Sequence, residues 1–266
     1  MTLDSDHIIK NFMECALSGV SKKQVIREFK NRYNLNDKDI KYLLDSCSFK
    51  TKPKNINYFN FYRNKLTTKC KRIEYPFTQI YKYDDFLTDN ECTKMIDFID
   101  SRLTASTVAD ADDSRLINDY RTSQSASLGY FEDEFFLNID KKLVNLLEID
   151  PFLGENMQGQ KYFPGQYYKE HHDFFTPFTP EYKTYCEWMG QRTWTTMIYL
   201  NDVNEEGETY FKHLKLKIKP KKGLLIAWNN LFFNGIPNYK TLHEALPPVS
   251  EQKYIITKWW RSWSLI

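Results

Sequence analysis

The chain has 266 residues, with 37 Lys plus Arg against 35 Asp plus Glu and a formal net charge of +2, a length that holds one or two domains of ordinary size. So small a net charge supplies no general field for a phosphate backbone or an anionic bilayer, which argues against nucleic-acid and membrane partners. With 41% hydrophobic and 16% aromatic residues and only 9 glycines, disordered, collagen-like and glycine-linker classes are excluded.

The first residues, Met1-Thr-Leu-Asp-Ser-Asp, are acidic where a secretory leader is basic, and the longest purely apolar run is about five residues, at 224–228. The expectation is a cytoplasmic protein without a transmembrane segment. Cys15, Cys47, Cys70, Cys92 and Cys186 are scattered and contain no C-x-x-C pair, so free thiols are expected rather than a disulfide framework or a cysteine zinc site.

Residues 4–47 read as helical, with Ile8, Ile9, Phe12 and Met13 at helical spacing, a capping box at Ser21-Lys-Lys-Gln24, and amphipathic segments over 25–33 and 37–44. They define an N-terminal helical unit, residues 1–50. The next stretch, 51–74, is a basic linker: 48–72 hold eight Lys or Arg and no acid, interleaved with Tyr58, Phe59, Phe61 and Tyr62. A docking arm is one reading of it; a connector whose aromatics pack on the following domain is the preferred one. From 75 to 266 a single domain is expected. It opens with a helix capped by Thr88-Asp-Asn-Glu91 that carries Cys92, Met95, Ile96, Ile99 and Leu103 on one face. A second helix over 132–149 carries Phe136, Ile139, Leu143 and Leu147.

After these helices the hydrophobic period changes to two. Strands are expected at 160–163, 193–200, 214–218, 223–228 and 254–260, separated by Gly, Pro and Asn clusters. Helices followed by many short strands predict an α+β, mainly β fold: an antiparallel sandwich or jelly roll buttressed by helices.

Of the five histidines, at 7, 171, 172, 213 and 243, the run His171-His172-Asp173 stands out. On a strand, residues i and i+2 share a face, so His171 and Asp173 would stand side by side while His172 points away. His243, from a facing strand, would complete two imidazoles and one carboxylate, the facial triad of non-haem Fe(II) oxygenases. Surface His-Asp pairs and the mixed ligands of zinc hydrolases are the alternatives; His7, His172 and His213 are not expected to be ligands. Lys253 opens the last strand ten residues after His243, where an inward ammonium would hold the remote carboxylate of 2-oxoglutarate by a charge-assisted hydrogen bond.

From about residue 80 to 263 the chain resembles the 2-oxoglutarate- and Fe(II)-dependent prolyl 4-hydroxylases. The resemblance runs through Phe86-Leu-Thr-Asp-Asn-Glu-Cys92, Arg121-Thr-Ser123, Glu155-Asn-Met-Gln158, Tyr162-Phe-Pro-Gly-Gln-Tyr-Tyr-Lys-Glu-His-His-Asp173, Arg192-Thr-Trp-Thr-Thr-Met-Ile-Tyr-Leu-Asn201, Gly207-Glu-Thr209, Leu242-His243, Pro248-Val249 and 253–259. It implies a double-stranded β-helix core. It also implies that His171, Asp173 and His243 bind Fe(II), and that Lys253, with the hydroxyls of Thr209 and Tyr162, binds 2-oxoglutarate. O2 would be the second co-substrate and ascorbate the reductant. Tyr168, Arg192 and Trp259 would line the groove for a proline-containing peptide or protein, although Trp259, beside Trp260 and Trp263, also suits ordinary rim packing.

The implied activity is similar to that of procollagen-proline 4-dioxygenase. The alternatives are hydroxylation of another residue type or of a small amino acid, and a non-catalytic peptide-binding jelly roll; the intact triad with Lys253 argues against the last. Two features depart from the pattern or lie outside it. The usual Gly-Gly-Glu-Thr stands here as Glu206-Gly-Glu-Thr209, and the aromatic-rich stretch 174–191 is expected to be a lid over the peptide. The sequence leaves the role of residues 1–50 and the oligomeric state open.

Overall fold

A computed structural model describes residues 11–15, 21–46, 53–62, 66–67, 69–109, 115–116, 119–129, 133–186 and 189–264. His7, Ile8, Ile9, Cys47, Lys50, Lys52, Arg63, Lys65 and Trp188 therefore lie outside the described residues.

Three helices form the N-terminal unit: α1, described over 11–15, α2 (Lys22–Tyr33) and α3 (Asp37–Ser46). Val25 and Phe29 recur one turn apart on α2 and bury against Phe12, whose ring meets that of Phe29 edge-on with centroids 5.0 Å apart. Ile40 and Leu43 of α3 are also buried. Ser21 caps α2 by accepting a hydrogen bond from Gln24 N. Only half of the expected capping box forms: the Gln24 side chain donates forward to Glu28, and its oxygen does not accept from Ser21 N.

The aromatics of the basic stretch pack on the β domain. Residues Tyr58–Phe61 form a 3-10 turn, and the Phe61 carbonyl accepts from Trp194 Nε1 at 2.7 Å and Asn229 Nδ2 at 3.1 Å. Gly235, in the left-handed region at φ +84°, leaves room for the Tyr58 ring, which a Cβ there would meet at 2.4 Å. The end of the stretch is itself structural: β1 (Lys71–Tyr75) is the edge strand of the main sheet.

Strands β2 (Thr78–Tyr83), β3 (Thr104–Ala105), β6 (Gln124–Leu128), β7 (Met157–Tyr162), β9 (Arg192–Tyr199), β12 (Leu225–Asn229) and β14 (Lys253–Arg261) join β1 in an antiparallel sheet of order β1-β2-β12-β9-β14-β7-β6-β3. A second sheet has the order β11-β10-β13-β8, from β8 (Tyr168–His171), β10 (Thr209–Phe211), β11 (Leu216–Ile218) and β13 (His243–Ala245). The short β4 (Val108–Ala109) and β5 (Arg115–Leu116) pair with each other. This is the expected jelly-roll class, built as two packed sheets with helical support.

Period-two alternation sorts the main sheet's side chains into two cores. Ile255 joins Tyr162, Tyr199, Phe211, Ile226 and Trp228 between the sheets. Its neighbour Ile256 faces α4 (Asp89–Asp100) and α5 (Glu134–Leu147), packing with Met95, Ile99, Phe136, Ile139 and Leu143. The Thr88–Glu91 capping box of α4 is complete. Gly159 on β7 lets α4 come close, since a Cβ there would lie 2.4 Å from Ile99 Cγ1.

Between α5 and β14 lies a buried ion pair, Lys258 Nζ with the Asp140 carboxylate, each side chain 2% exposed. Removing one partner strands a charge out of water, whereas removing both does not. Asp140→Ala is therefore expected to lower stability by about 3–5 kcal/mol, and the double variant Asp140→Leu/Lys258→Met to recover most of it. Urea unfolding midpoints decide this, and an Asp140→Ala midpoint equal to that of the parent would exclude the account.

Candidate metal centre

His243 opens β13 and pairs in register with His171, the last residue of β8. The two imidazoles thus come from neighbouring strands of one sheet rather than from facing strands. Asp173 lies just past β8, beyond the regular pleat, yet returns to the same point: the ligand atoms of all three residues lie within 4.8 Å of one another. His171 Nε2 stands 3.8 Å from Asp173 Oδ1, and His243 Nε2 3.9 Å from Asp173 Oδ2. Metal bonds of about 2.0–2.2 Å from imidazole and carboxylate fit a single ion among them. His172 turns away to the Tyr239 carbonyl and the Phe174 ring.

Each ligand is oriented by a second partner. His171 Nδ1 lies 2.8 Å from Lys169 O and His243 Nδ1 2.9 Å from Thr241 O. A carbonyl only accepts, so each Nδ1 carries the proton and each Nε2 presents a lone pair. Burial, then neighbouring His243, lowers the His171 imidazole to about 3, which keeps it neutral and able to ligate. For Asp173 burial pushes the carboxyl upward, but His243, His171, Arg192 and the Thr195 hydroxyl outweigh it and hold it below the usual carboxylate range. Thr195 Oγ1 donates to Asp173 Oδ2 at 2.7 Å and accepts from Asn230 Nδ2 at 2.9 Å.

Lys253 is 1% exposed, and its ammonium donates to Gly207 O at 2.9 Å and Leu246 O at 3.1 Å. Burial lowers it to about 7, with Glu208 acting in the opposite direction. Gly207 is in the left-handed region, as is the preceding Glu206 at φ +57°. The turn expected of two glycines is therefore kept by a glutamate, in a conformation that costs a non-glycine residue about 1 kcal/mol. Thr209 pairs with Ala245 and Phe211 with His243. The Thr209 side chain thus lies two residues, about 7 Å, along the same strand pair and face from His243. Its Oγ1 is 2.6 Å from Tyr199 OH, a buried group the sequence reading passed over. The Tyr162 ring lies under the Lys253 ammonium, 4.3 Å away, but its hydroxyl donates to Gln160 Oε1 rather than joining Lys253.

The residues expected to hold substrate gather on the other side of the metal ligands. Tyr168 stacks on His171 at 3.6 Å and takes the Arg121 guanidinium on its ring at 4.8 Å. Arg192 carries Trp259 on its flat face at 4.0 Å. Its donors are mainly committed within the protein, Nε and Nη2 to the two oxygens of buried Glu155 at 2.6 and 2.8 Å, and Nη1 to Asp173 O at 3.4 Å. Arg192 lines the cleft and also props the loop that carries Asp173. Arg261 Nε contacts the same Glu155 oxygen at 2.6 Å.

In the stretch 174–191, of which 187 and 188 lie outside the described residues, the described residues form a packed wall of the cleft. Phe174, Tyr185, Cys186 and Met189 are buried, Gln191 bonds both backbone groups of Phe175, and Arg261 Nη1 donates to Gly190 O at 2.8 Å. Phe178 at its tip is fully exposed. The cleft in front of His171, Asp173 and Trp259 has a volume of about 890 Å3.

Thr195 is the one orienting partner that can be removed without changing shape. Thr195→Val is expected to weaken binding of a divalent probe such as Co(II) by at least about tenfold, with the fold retained. Calorimetric titration measures it, and unchanged affinity would remove Thr195 from the account.

The sequence profile of the 2OG-Fe(II) oxygenase superfamily matches residues 157–261. Prolyl 4-hydroxylase subunit alpha-1 of Rattus norvegicus is 31% identical over 188 residues, 70% of this chain and 35% of the relative. Probable prolyl 4-hydroxylase 7 of Arabidopsis thaliana is 30% identical over 200 residues, 68% of this chain and 62% of the relative. The chain thus spans about a third of the length of the animal subunits it matches. Among solved structures, the viral collagen prolyl hydroxylase of Paramecium Bursaria Chlorella virus-1, in a 2OG complex, aligns at TM-score 0.54 and 32% identity, over 68% of this chain and 94% of that one.

Proposed function

We propose that this chain, which belongs to the 2-oxoglutarate- and Fe(II)-dependent prolyl 4-hydroxylase family, hydroxylates prolyl residues in a peptide or protein while converting 2-oxoglutarate and O2 to succinate and CO2. One observation carries the reading: the two-imidazole, one-carboxylate cluster lies at the His243 end of the β10–β13 pair, and the buried ammonium of Lys253, entering from β14 of the other sheet, reaches the Gly207 and Leu246 carbonyls just beyond its Thr209–Ala245 end. A five-carbon dicarboxylic acid fits between such groups, one end at the metal and the other at the ammonium.

His171, Asp173 and His243 would hold Fe(II), which supplies the oxygen activation; ascorbate is the reductant typical of the family. The donor set fits the ion, since both Nε2 lone pairs and the Asp173 carboxylate converge with their remaining atoms already bonded. Three ligands on one side of an octahedral ion leave the opposite face for co-substrates. Lys253 and the Thr209 hydroxyl would bind the remote carboxylate. Burial at that end excludes water, so the charge-assisted bond is strong. Tyr168 and Trp259 would flank the target ring with aromatic faces, while Arg192 fixes the Asp173 backbone. Cys70, Cys92 and Cys186 form no disulfide, which suits a reducing cytoplasmic setting, and no described helix is long and apolar enough to cross a membrane.

Asp173→Ala is expected to abolish both succinate formation and the gain of one oxygen atom on a proline-containing peptide, read by mass spectrometry. Retention of full activity would refute the ligand assignment. Lys253 gives an independent test. Held near 7 in the free protein, the amine is mostly neutral above that pH, and an arriving carboxylate restores its protonation. Binding of 2-oxoglutarate above about pH 8 is therefore expected to take up close to one proton per site. Calorimetry in buffers of different ionisation enthalpy reads the uptake, and Lys253→Met should eliminate it.

A further inference from the structure

The helical unit is not remote from the site. Its α2 presents two stripes, each of residues four apart and so aligned along the helix. Val25, Phe29 and Tyr33 form the apolar stripe; the first two are buried and the Phe29 and Tyr33 rings lie 5.1 Å apart. One residue earlier, about 100° around the axis, run Gln24, Glu28 and Arg32. These three side chains line the same cleft of about 890 Å3 as His171, Asp173 and Trp259. The unit is moored beside the catalytic machinery: Asn156 Nδ2 donates to Glu14 O at 3.2 Å, and Asn156 directly follows Glu155, which holds Arg192.

Resting on the functional reading above, we infer that the Gln24-Glu28-Arg32 stripe is the outer wall of the peptide groove and binds substrate residues flanking the target proline. The spacing suits that ligand. Four helical residues rise about 6 Å, and two residues of a polyproline II chain advance about 6.2 Å. The whole stripe, about 12 Å, therefore spans about four residues of an extended proline-rich peptide. Proline-rich backbone has carbonyls in excess of N–H groups, so the amide of Gln24 and the guanidinium of Arg32 supply the donors it lacks. Glu28 supplies an acceptor for the N–H groups and cations of the other residues. The metal and co-substrate residues set the chemistry; the stripe sets how much flanking peptide is recognised.

The test is the triple variant Gln24→Ala/Glu28→Ala/Arg32→Ala in the full chain. Glu28 and Arg32 are exposed and alanine favours helix, so α2 is retained, as circular dichroism checks. Two proline-rich peptides are compared, one of three residues and one of about twelve. Binding is read by fluorescence anisotropy and turnover by oxygen incorporation. The expected result is a rise of about tenfold in Kd and KM for the long peptide, the scale of one or two lost hydrogen bonds. The short peptide, the KM for 2-oxoglutarate and peptide-independent 2-oxoglutarate turnover should be unchanged. Equal long-peptide Kd in parent and variant overturns the inference. Peptide bound by the parent without oxygen incorporation overturns the functional reading instead, while the Kd comparison still judges the stripe. A parent that binds neither peptide overturns both.

Discussion

Glu155 is one carboxylate shared by two guanidinium groups in a site from which water is excluded. It precedes β7, Arg192 opens β9 and Arg261 closes β14, so one buried acid clamps three strands of the main sheet at one edge of the cleft. From there the contacts divide. Arg192 reaches the backbone of Asp173, Arg261 fastens Gly190 at the end of the 174–191 wall, and Asn156 moors the helical unit. Ligand, wall and outer helix are all referred to one anion. Arg192 adds to His243 and His171 in holding the buried Asp173 carboxyl below the usual carboxylate range.

How much of this was legible in the sequence follows from range. The α4 helix was, because a capping box and an apolar stripe are complete within a dozen residues. Strands β9 and β14 were, because they are long and buried on nearly every residue. The second sheet was only in part: β11 lies within the strand expected at 214–218, whereas β8, β10 and β13 have three or four residues each, and Tyr-Lys-Glu-His carries no apolar alternation. The three triad residues do come together, but by a different geometry from the expected one. Asp173 leaves the strand, and His243 reaches it through a shared register rather than across the barrel.

Partners that orient the ligands escaped for a different reason. Thr195, Asn230 and Tyr199 look like ordinary strand residues until a fold places a carboxylate or a hydroxyl beside them. A weak signal existed in β9, where Thr193, Thr195 and Thr196 sit inside an otherwise apolar run. A buried hydroxyl needs a partner, and three in succession announce polar groups across the core. Glu155 lay within a quoted motif, but its role depends on Arg192 and Arg261, 37 and 106 residues away.

Lys253 and Arg192 show why two buried cations of one site behave differently. Arg192 meets a carboxylate and is satisfied within the protein, so its task is fixed at folding. Lys253 donates to two carbonyls and lies over the Tyr162 ring, and burial drives it toward neutrality against the influence of Glu208. On the proposed function, the fold carries that cost because the compensating charge belongs to the dicarboxylate. The depressed amine is thus selective in itself: a neutral molecule of the same shape would leave the lysine unprotonated and gain no ionic bond, while a dicarboxylate brings the charge that makes the pocket whole. Because Lys253 enters from β14 against the far end of the strand pair that His243 opens, ligand length becomes a criterion: only a chain that reaches both ends of the pair satisfies both.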